Sequence, residues 1–279
     1  MPTGRGGNRV NIGVHEAGAG SPVMLVHGLG MRADVWINQV DVFASRHRVL
    51  APDLRGAGGS SHLTAPGSYQ IDRFVDDLIA ITHKFADRPI HFVGTSSGGF
   101  IGQVMALKAP ELVRSLVLCH SASVSRIPAR VLNARVSMLK NGTMEDYARL
   151  VAEQALATHQ RPAVLDWFLE MVADNDRDIY RQIYIECMKS FDVRKRVKTI
   201  TTPTLVVIGE HDRVMLPAGA RETARLIPKA RTALMRGVGH CGYIEQPLEF
   251  NRIVLQFIDR VEAAELKRAR MPAALPLKS

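Results

Sequence analysis

Three residues that together can perform nucleophilic chemistry each follow a short apolar run of this sequence. Ser96 lies in the segment 94–98, Asp212 follows the apolar run 204–209, and His240 is flanked by glycine in a later loop. A serine hydroxyl is a weak nucleophile at neutral pH, so it needs a base, usually histidine, and the histidine needs a carboxylate to orient it. The sequence therefore predicts Ser96 as nucleophile, His240 as base and Asp212 as acid.

The segment around Ser96 has the pattern Gly-x-Ser-x-Gly between an apolar run, Ile90–Val93, and apolar residues at helical spacing from Phe100 to Leu107. A strand, a sharp turn and a helix in this order lift a serine hydroxyl above a sheet. The N–H of Ser97 at the helix start would then face a developing oxyanion. The same pentapeptide also occurs in turns without chemistry, so the prediction depends on its partners.

Two residues compete with these assignments. Glu210 lies close to Asp212 but nearer to the strand, and His27 ends the apolar run that starts at Pro22. We interpret His27 as structural, holding its loop by hydrogen bonds, and the N–H of Leu29 as the second oxyanion donor. The order nucleophile, acid, base along the chain is the one expected for this kind of turn.

The elements that would position these residues alternate between strands and helices as far as about residue 120. This alternation is typical of a parallel sheet covered by helices on both faces. No convincing strand follows between 121 and 201, where the spacing predicts four helices, and the strand pattern returns at Pro203. We therefore predict an α/β core domain over 1–120 and 202–279, with a helical cap inserted over 121–201.

Composition narrows the class of protein. The chain has 279 residues, 46% of them hydrophobic, and no stretch long and apolar enough for a membrane span. The start shows no secretory signal and three cysteines are too few for a disulfide framework, which predicts a cytoplasmic protein without a membrane partner. The net charge of +9 indicates either an anionic partner or solvated basic faces. We favour solvated faces and expect no nucleic-acid partner, because no nucleic-acid motif accompanies the charge.

Taken together, these motifs resemble those of the α/β-hydrolase family over about Val10 to Val261. The matching segments are His27-Gly-Leu-Gly30, Asp53-Leu-Arg-Gly56-x-Gly58-x-Ser60, Gly94-Thr-Ser-Ser-Gly98, Gly209-x-x-Asp212, and Gly239-His240 with Glu245-x-Pro247. The resemblance implies an eight-stranded, mostly parallel sheet with helices on both faces and an inserted cap. It also implies the triad assigned above, and no metal or organic cofactor.

The resemblance narrows the reaction as well. A serine at position 96 argues against the family's dehalogenases and epoxide hydrolases, which carry aspartate there. The family's hydrolases of ring-cleavage products often have tryptophan after the catalytic histidine, whereas this chain has Cys241, which weakens but does not exclude C–C bond hydrolysis. We expect a serine hydrolase that cleaves a small carboxylic ester or lactone through an acyl-enzyme on Ser96. A C–C bond hydrolase, a ligand receptor and a cofactor-free oxygenase stay open.

Substrate selection is expected in the cap. Met138, Trp167 and Phe168 are candidate substrate-binding residues there, and Cys241 is a candidate beside His240. Each has an alternative, since methionine and aromatic residues at helical spacing usually pack inward and a small thiol can fill a core. The sequence leaves the oligomeric state open, including a homo-oligomer.

Overall fold

The computed structural model describes residues 10–157 and 161–270. Seven strands lie in this part of the chain: β1 Val14–Ala17, β2 Ser21–Val26, β3 His47–Pro52, β4 Ile90–Thr95, β5 Val113–Cys119, β6 Thr204–Gly209 and β7 Arg231–Met235. They form one sheet in the order β1-β3-β2-β4-β5-β6-β7, and every pairing is parallel except that of β1 with β3. The predicted α/β fold with a mostly parallel sheet is confirmed.

The central strands are apolar on both faces, as a covered parallel sheet requires. In β2, Val23 and Leu25 join a hydrophobic cluster on one face, while Met24 and Val26 join a second cluster on the other face. The strands β4, β5 and β6 alternate in the same way. The core therefore consists of two apolar layers, one on each side of the sheet.

The α-helices of the described residues follow in chain order: α1 Val40–Ala44, α2 Ile71–Phe85, α3 Ser97–Lys108, α4 Ala129–Asn141, α5 Met144–Ala155, α6 Pro162–Ala173, α7 Arg177–Ile183, α8 Pro217–Leu226, α9 Gly242–Glu245 and α10 Pro247–Arg270. A π-helical turn, Tyr184–Met188, continues α7, and 3-10 turns cover Ala33–Trp36, Pro110–Leu112 and Val197–Thr199. Helices α1 and α10 pack on one face of the sheet, and α2, α3 and α8 on the other. None of the helices in the described ranges has the length and apolarity that a bilayer crossing requires.

The predicted strand count of eight is wrong, because the described residues form seven strands. The sequence also suggests an opening hairpin over about Asn8 to Glu16. In the described residues β1 is the one strand before β2, and residues 1–9 lie outside that part. The backbone before β1 bonds to a distant loop instead. Gly13 O accepts from Asp53 N at 2.9 Å, and Asn11 O accepts from Ser61 N at 2.8 Å. These long-range bonds use groups that a hairpin partner would otherwise need.

Helices α4–α7 lie between β5 and β6, where the sequence predicts four helices and no strand. We call the segment 129–188 the helical insertion. It is tied to the loops at the carboxyl ends of the strands: Asn175 Nδ2 donates to Gly30 O at 3.0 Å, and His240 N donates to Ala155 O at 2.5 Å. The insertion therefore lies directly beside the predicted site residues. The predicted division also includes residues 1–9, 158–160 and 271–279, which are outside the described part of the chain.

Candidate active site

The backbone at Ser96 has the strained bend that the sequence pattern predicts. Ser96 has φ 52° and ψ −118°, a conformation that non-glycine residues rarely adopt. The turn between β4 and α3 is so tight that a Cβ atom at Gly94 would lie 2.5 Å from Gly98 O. A Cβ atom at Gly98 would lie 2.5 Å from Val26 O, on the neighbouring strand. Both glycines are therefore required by close backbone approach, and the bend holds the Ser96 side chain at the end of the sheet.

His240 and Asp212 are brought together from two neighbouring strand ends. His240 Nδ1 lies 2.9 Å from Asp212 Oδ2, and both side chains are buried. The other carboxylate oxygen, Asp212 Oδ1, accepts hydrogen bonds from the N–H groups of Val214 and Met215 at 2.9 and 2.8 Å. The carboxylate is thus fixed by the backbone of its own loop and oriented toward the imidazole. A proton on Nδ1 leaves Nε2 as the basic nitrogen of this ring.

Asp212 also faces a second histidine that sequence reasoning did not assign to the site. His120 Nδ1 lies 3.7 Å from Asp212 Oδ2, and the His120 side chain is fully buried. Burial opposes ionisation of Asp212, but His240 and His120 outweigh it and hold the pKa of the carboxyl well below its ordinary value. Asp212 is therefore ionised at neutral pH and can stabilise a cationic His240.

The loop that carries His240 is held by Glu245. Its carboxylate accepts hydrogen bonds from the N–H groups of Gly239 at 3.0 Å and Cys241 at 3.1 Å, one residue on each side of His240. It also accepts from the N–H of Ala157 at 2.9 Å, at the end of α5. One buried turn therefore couples the position of the imidazole to the helical insertion.

His27 has the loop-holding contacts that the sequence interpretation assigns to it. Its Nδ1 lies 2.8 Å from Gly28 O, and its Nε2 accepts from the N–H of Leu54 at 2.9 Å. Burial lowers the pKa of His27, so the ring is neutral and joins the 27–31 loop to the loop after β3. In the described residues, no hydrogen bond uses the N–H of Leu29 or of Ser97. In this part of the chain, both N–H groups are therefore free for the oxyanion role that the sequence predicts.

A cavity of about 60 Å³ lies above the sheet between these loops and the insertion. Ser96, His240 and Leu29 all line it, and so do two predicted substrate-binding residues, Phe168 and Cys241. Burial raises the pKa of the Cys241 thiol well above its ordinary value, so this group stays protonated. The nucleophile and base candidates therefore share one small, mainly apolar space.

The other two predicted substrate-binding residues are not among the residues that line this cavity. Met138 and Trp167 are partly buried and pack against the hydrophobic cluster on one face of the sheet. This is the inward packing that their helical spacing also allowed. The insertion instead places Arg135, Tyr147, Tyr180 and Tyr184 in the cavity wall. Sequence reasoning missed these four, because their spacing does not show which helix face turns toward Ser96.

The described residues contain no group of three histidine, cysteine, aspartate or glutamate side chains arranged to hold a metal ion. The site itself offers a hydroxyl and an imidazole that line one cavity, with an ionised carboxylate bonded to the imidazole ring.

The sequence profile of the family described as alpha/beta hydrolase fold matches residues 21–247, which is most of the chain, and this protein therefore belongs to that family. Similar proteins have several activities. A protein of Pseudomonas savastanoi pv. phaseolicola (strain 1448A / Race 6) named "Putative carbamate hydrolase RutD" is 28% identical over 251 residues, covering 85% of this chain and 93% of its own. The 2-hydroxymuconate semialdehyde hydrolase of Pseudomonas sp. (strain CF600) is 28% identical over 277 residues, covering 93% and 94%.

Among solved structures, the enol-lactonase from Burkholderia xenovorans LB400 superposes with a TM-score of 0.84 and 25% sequence identity, covering 90% of this chain and 98% of that chain. The family is thus established by profile and by fold. Its members here include enzymes that act on different bonds.

Proposed function

We propose that this protein is a serine hydrolase that cleaves a small carboxylic ester or lactone through an acyl-enzyme on Ser96. The observation that carries the proposal is the cavity lined by both Ser96 and His240, with Asp212 Oδ2 lying 2.9 Å behind the ring at Nδ1. The strained bend at Ser96 supports it, since such strain is retained where it serves a function. The enol-lactonase likeness supports the lactone side of the proposal.

The reaction follows from these groups. Ser96 Oγ attacks the substrate carbonyl carbon while its proton passes to His240 Nε2, and Asp212 stabilises the resulting imidazolium. The tetrahedral intermediate collapses, the bond to the alkoxide breaks, and the alkoxide takes the proton from His240. Water then attacks the acyl-enzyme carbonyl and gives a proton to His240. The second collapse releases the carboxylic acid and returns the proton to Ser96.

The N–H groups of Leu29 and Ser97 would stabilise the oxyanion in both steps. Ser97 is the first residue of α3, so the helix dipole adds to its N–H. A donor of this kind typically contributes about 10²–10³ in rate. Within the same proposal, the predicted cap over 121–201, which contains the helical insertion, closes the site of the core domain. Its contacts through Asn175 and Ala155 support this role.

A C–C bond hydrolase is the second candidate. The likeness to 2-hydroxymuconate semialdehyde hydrolase over 277 residues favours it. A carbamate substrate would use the same attack on a carbonyl carbon.

The buried and unpaired cysteines Cys119, Cys187 and Cys241 fit the reducing cytoplasm that we propose as the location.

The test is a panel of p-nitrophenyl esters from acetate to octanoate, measured with wild-type protein and with Ser96→Ala. We expect turnover by the wild type and a loss of at least about 10³-fold in kcat for the variant, because the nucleophile is removed. Faster cleavage of 2-hydroxymuconate semialdehyde than of any ester would favour the C–C hydrolase. Saturable binding without turnover would favour a receptor, and oxygen uptake a cofactor-free oxygenase.

A further inference from the structure

The cavity that holds Ser96 and His240 also contains Arg135, a cation that pairs with no carboxylate of the described residues. Arg135, on α4, lines the cavity with its guanidinium among Tyr184, Gln154 and Tyr147. Arg135 donates to Tyr184 Oη at 3.0 Å and to Gln154 Oε1, both neutral oxygens. Its Nε is buried without a hydrogen-bond partner in the described residues. Arg135 therefore has a donor that the described residues do not use.

An arginine in this position is costly unless something balances its charge. Arg135 is half-buried, and a guanidinium is protonated at every accessible pH, so the cost of this partial burial cannot be relieved by losing a proton. In the described residues no aspartate or glutamate forms an ion pair with Arg135, and none lines the cavity. Such a charge is normally paired with an anion. We expect the anion that pairs with Arg135 to be part of the substrate.

A groove next to the cavity is also lined by arginines. A groove of about 480 Å³ lies beside it and shares Arg135, Gln154 and Met215 with it. Arg126 and Arg213 also line this groove, and its wall contains no carboxylate side chain. Arg126 is paired with Glu222 at 2.6 Å. Arg213 donates only to backbone carbonyls in the described residues, those of Glu153 and Leu156. Arg135 and Arg213 thus give this groove a positive charge that no carboxylate in its wall balances.

Resting on the proposed acyl transfer at Ser96, we propose that the substrate carries a carboxylate away from the scissile carbonyl, and that Arg135 binds this carboxylate. The planar fork of arginine matches a carboxylate with two parallel hydrogen bonds. A single arginine among neutral phenols and an amide balances one negative charge, which fits a carboxylate better than a doubly charged phosphate. The substrate class is therefore the half-ester or lactone of a dicarboxylic acid.

The experiment compares two esters of equal chain length, mono-p-nitrophenyl glutarate and p-nitrophenyl pentanoate, which differ in a terminal carboxylate against a methyl group. Arg135→Gln should lower kcat/KM for the glutarate ester by at least about tenfold, mainly through KM, because a charged hydrogen bond is lost. The pentanoate should change by less than about threefold. Arg130→Gln, an exposed arginine on the same helix, is the matched control and should change neither.

The same loss for both esters in Arg135→Gln would overturn the inference and leave Arg135 with a purely structural role. Arg135→Lys keeps the charge but not the fork, and should fall between wild type and Arg135→Gln with the glutarate ester. Circular dichroism melting of each variant shows whether the fold is retained. If Arg135→Gln does not fold, equal activity of Arg135→Lys and wild type on the glutarate ester would overturn the inference.

A binding measurement separates this inference from the proposed reaction. Ser96→Ala protein is titrated calorimetrically with monomethyl glutarate and with methyl pentanoate. Monomethyl glutarate should bind more tightly than methyl pentanoate, and the double variant Ser96→Ala/Arg135→Gln should lose this difference. That result supports the carboxylate site even if no ester is turned over. Equal or undetectable binding of the two probes overturns it. Turnover of p-nitrophenyl pentanoate without any preference for the glutarate ester would leave the hydrolase proposal standing and the carboxylate inference wrong.

Discussion

A serine, a histidine and a carboxylate lie together at each end of strand β4, and the group at the carboxyl end lines a cavity. At the carboxyl end, Ser96 follows the strand and the pair His240–Asp212 lies beside it. At the amino end, His91 Nδ1 lies 2.7 Å from Ser115 Oγ, and its Nε2 lies 3.3 Å from Glu262 Oε1. The residue types at the two ends are nearly the same.

The surroundings of the two groups differ in three physical respects. Ser96 lies on a strained bend beside a cavity, whereas Ser115 is fully buried within strand β5. Asp212 forms ion pairs only with histidines in the described residues, whereas Glu262 is also paired with Arg114 at 2.8 Å. An arginine partner neutralises the carboxylate that would stabilise an imidazolium. Access, strain and uncompensated charge thus distinguish the group that we propose as the active site from the group at the amino end.

The amino-end network serves to dock the last helix. Glu262, on α10, also accepts from Ser21 Oγ at 2.5 Å, so one carboxylate joins α10 to β2, β4 and β5. We therefore expect changes at the amino end to affect stability, and changes at the carboxyl end to affect rate.

The largest contrast is expected between the two carboxylates. Asp212→Asn should lower kcat for ester hydrolysis by about 10⁴-fold, since an amide orients the ring in the wrong tautomer and carries no charge. Glu262→Gln should leave kcat within about threefold but lower the free energy of unfolding by about 1–3 kcal/mol, because hydrogen bonds to charged partners are weakened. Stopped-flow ester assays and urea unfolding of both variants measure the contrast. A large loss of kcat in Glu262→Gln would contradict the structural role that we assign to Glu262.

A smaller effect is expected in the pH dependence of the free energy of unfolding, through His91 at the amino end. Burial, with a contribution from Arg114, lowers the pKa of His91 to about 4. In the unfolded chain it is about 6.5, so the unfolded state takes up a proton that the folded state does not. The free energy of unfolding should therefore fall as the pH drops from about 6.5 to 4, by up to about 1.4 kcal/mol per pH unit.

Urea unfolding at pH 7, 6 and 5 measures this slope. His91→Asn should reduce it, and His15→Asn, which changes an exposed histidine, should leave it unchanged. A residual slope is expected in His91→Asn, because burial also lowers the pKa values of His27 and His47. An unchanged slope in His91→Asn would show that His91 is not the group responsible.

Local patterns were enough to predict much of this molecule. The bend at Ser96 and the strand-end positions of Asp212 and His240 follow from glycine spacing and apolar runs, which are short-range signals. The alternating strands and helices before residue 120 and the four helices between 121 and 201 also follow from such apolar spacing. The strand count was not predictable, since it depends on backbone bonds between residues as distant as Asn11 and Ser61.

The wall of the cavity was not predictable either. Arg135 faces the cavity, whereas Met138, one turn further along α4, packs against the core. Helical periodicity predicts which side of a helix is apolar. It does not predict which side of α4 faces the cavity. His120 is a similar case: it follows β5 directly, but only the packing of β6 beside β5 brings Asp212 within 3.7 Å of it.

The most direct test of the central claim is labelling of the native protein with a fluorophosphonate, which reacts with activated serines. Trypsin separates Ser96 from Ser115, because cleavage after Lys108 and Arg114 places them in different peptides. We predict one phosphonyl group per chain, located on Ser96 by fragmentation and absent in His240→Ala. No adduct on the wild-type protein, or an adduct on a serine other than Ser96, would contradict the account.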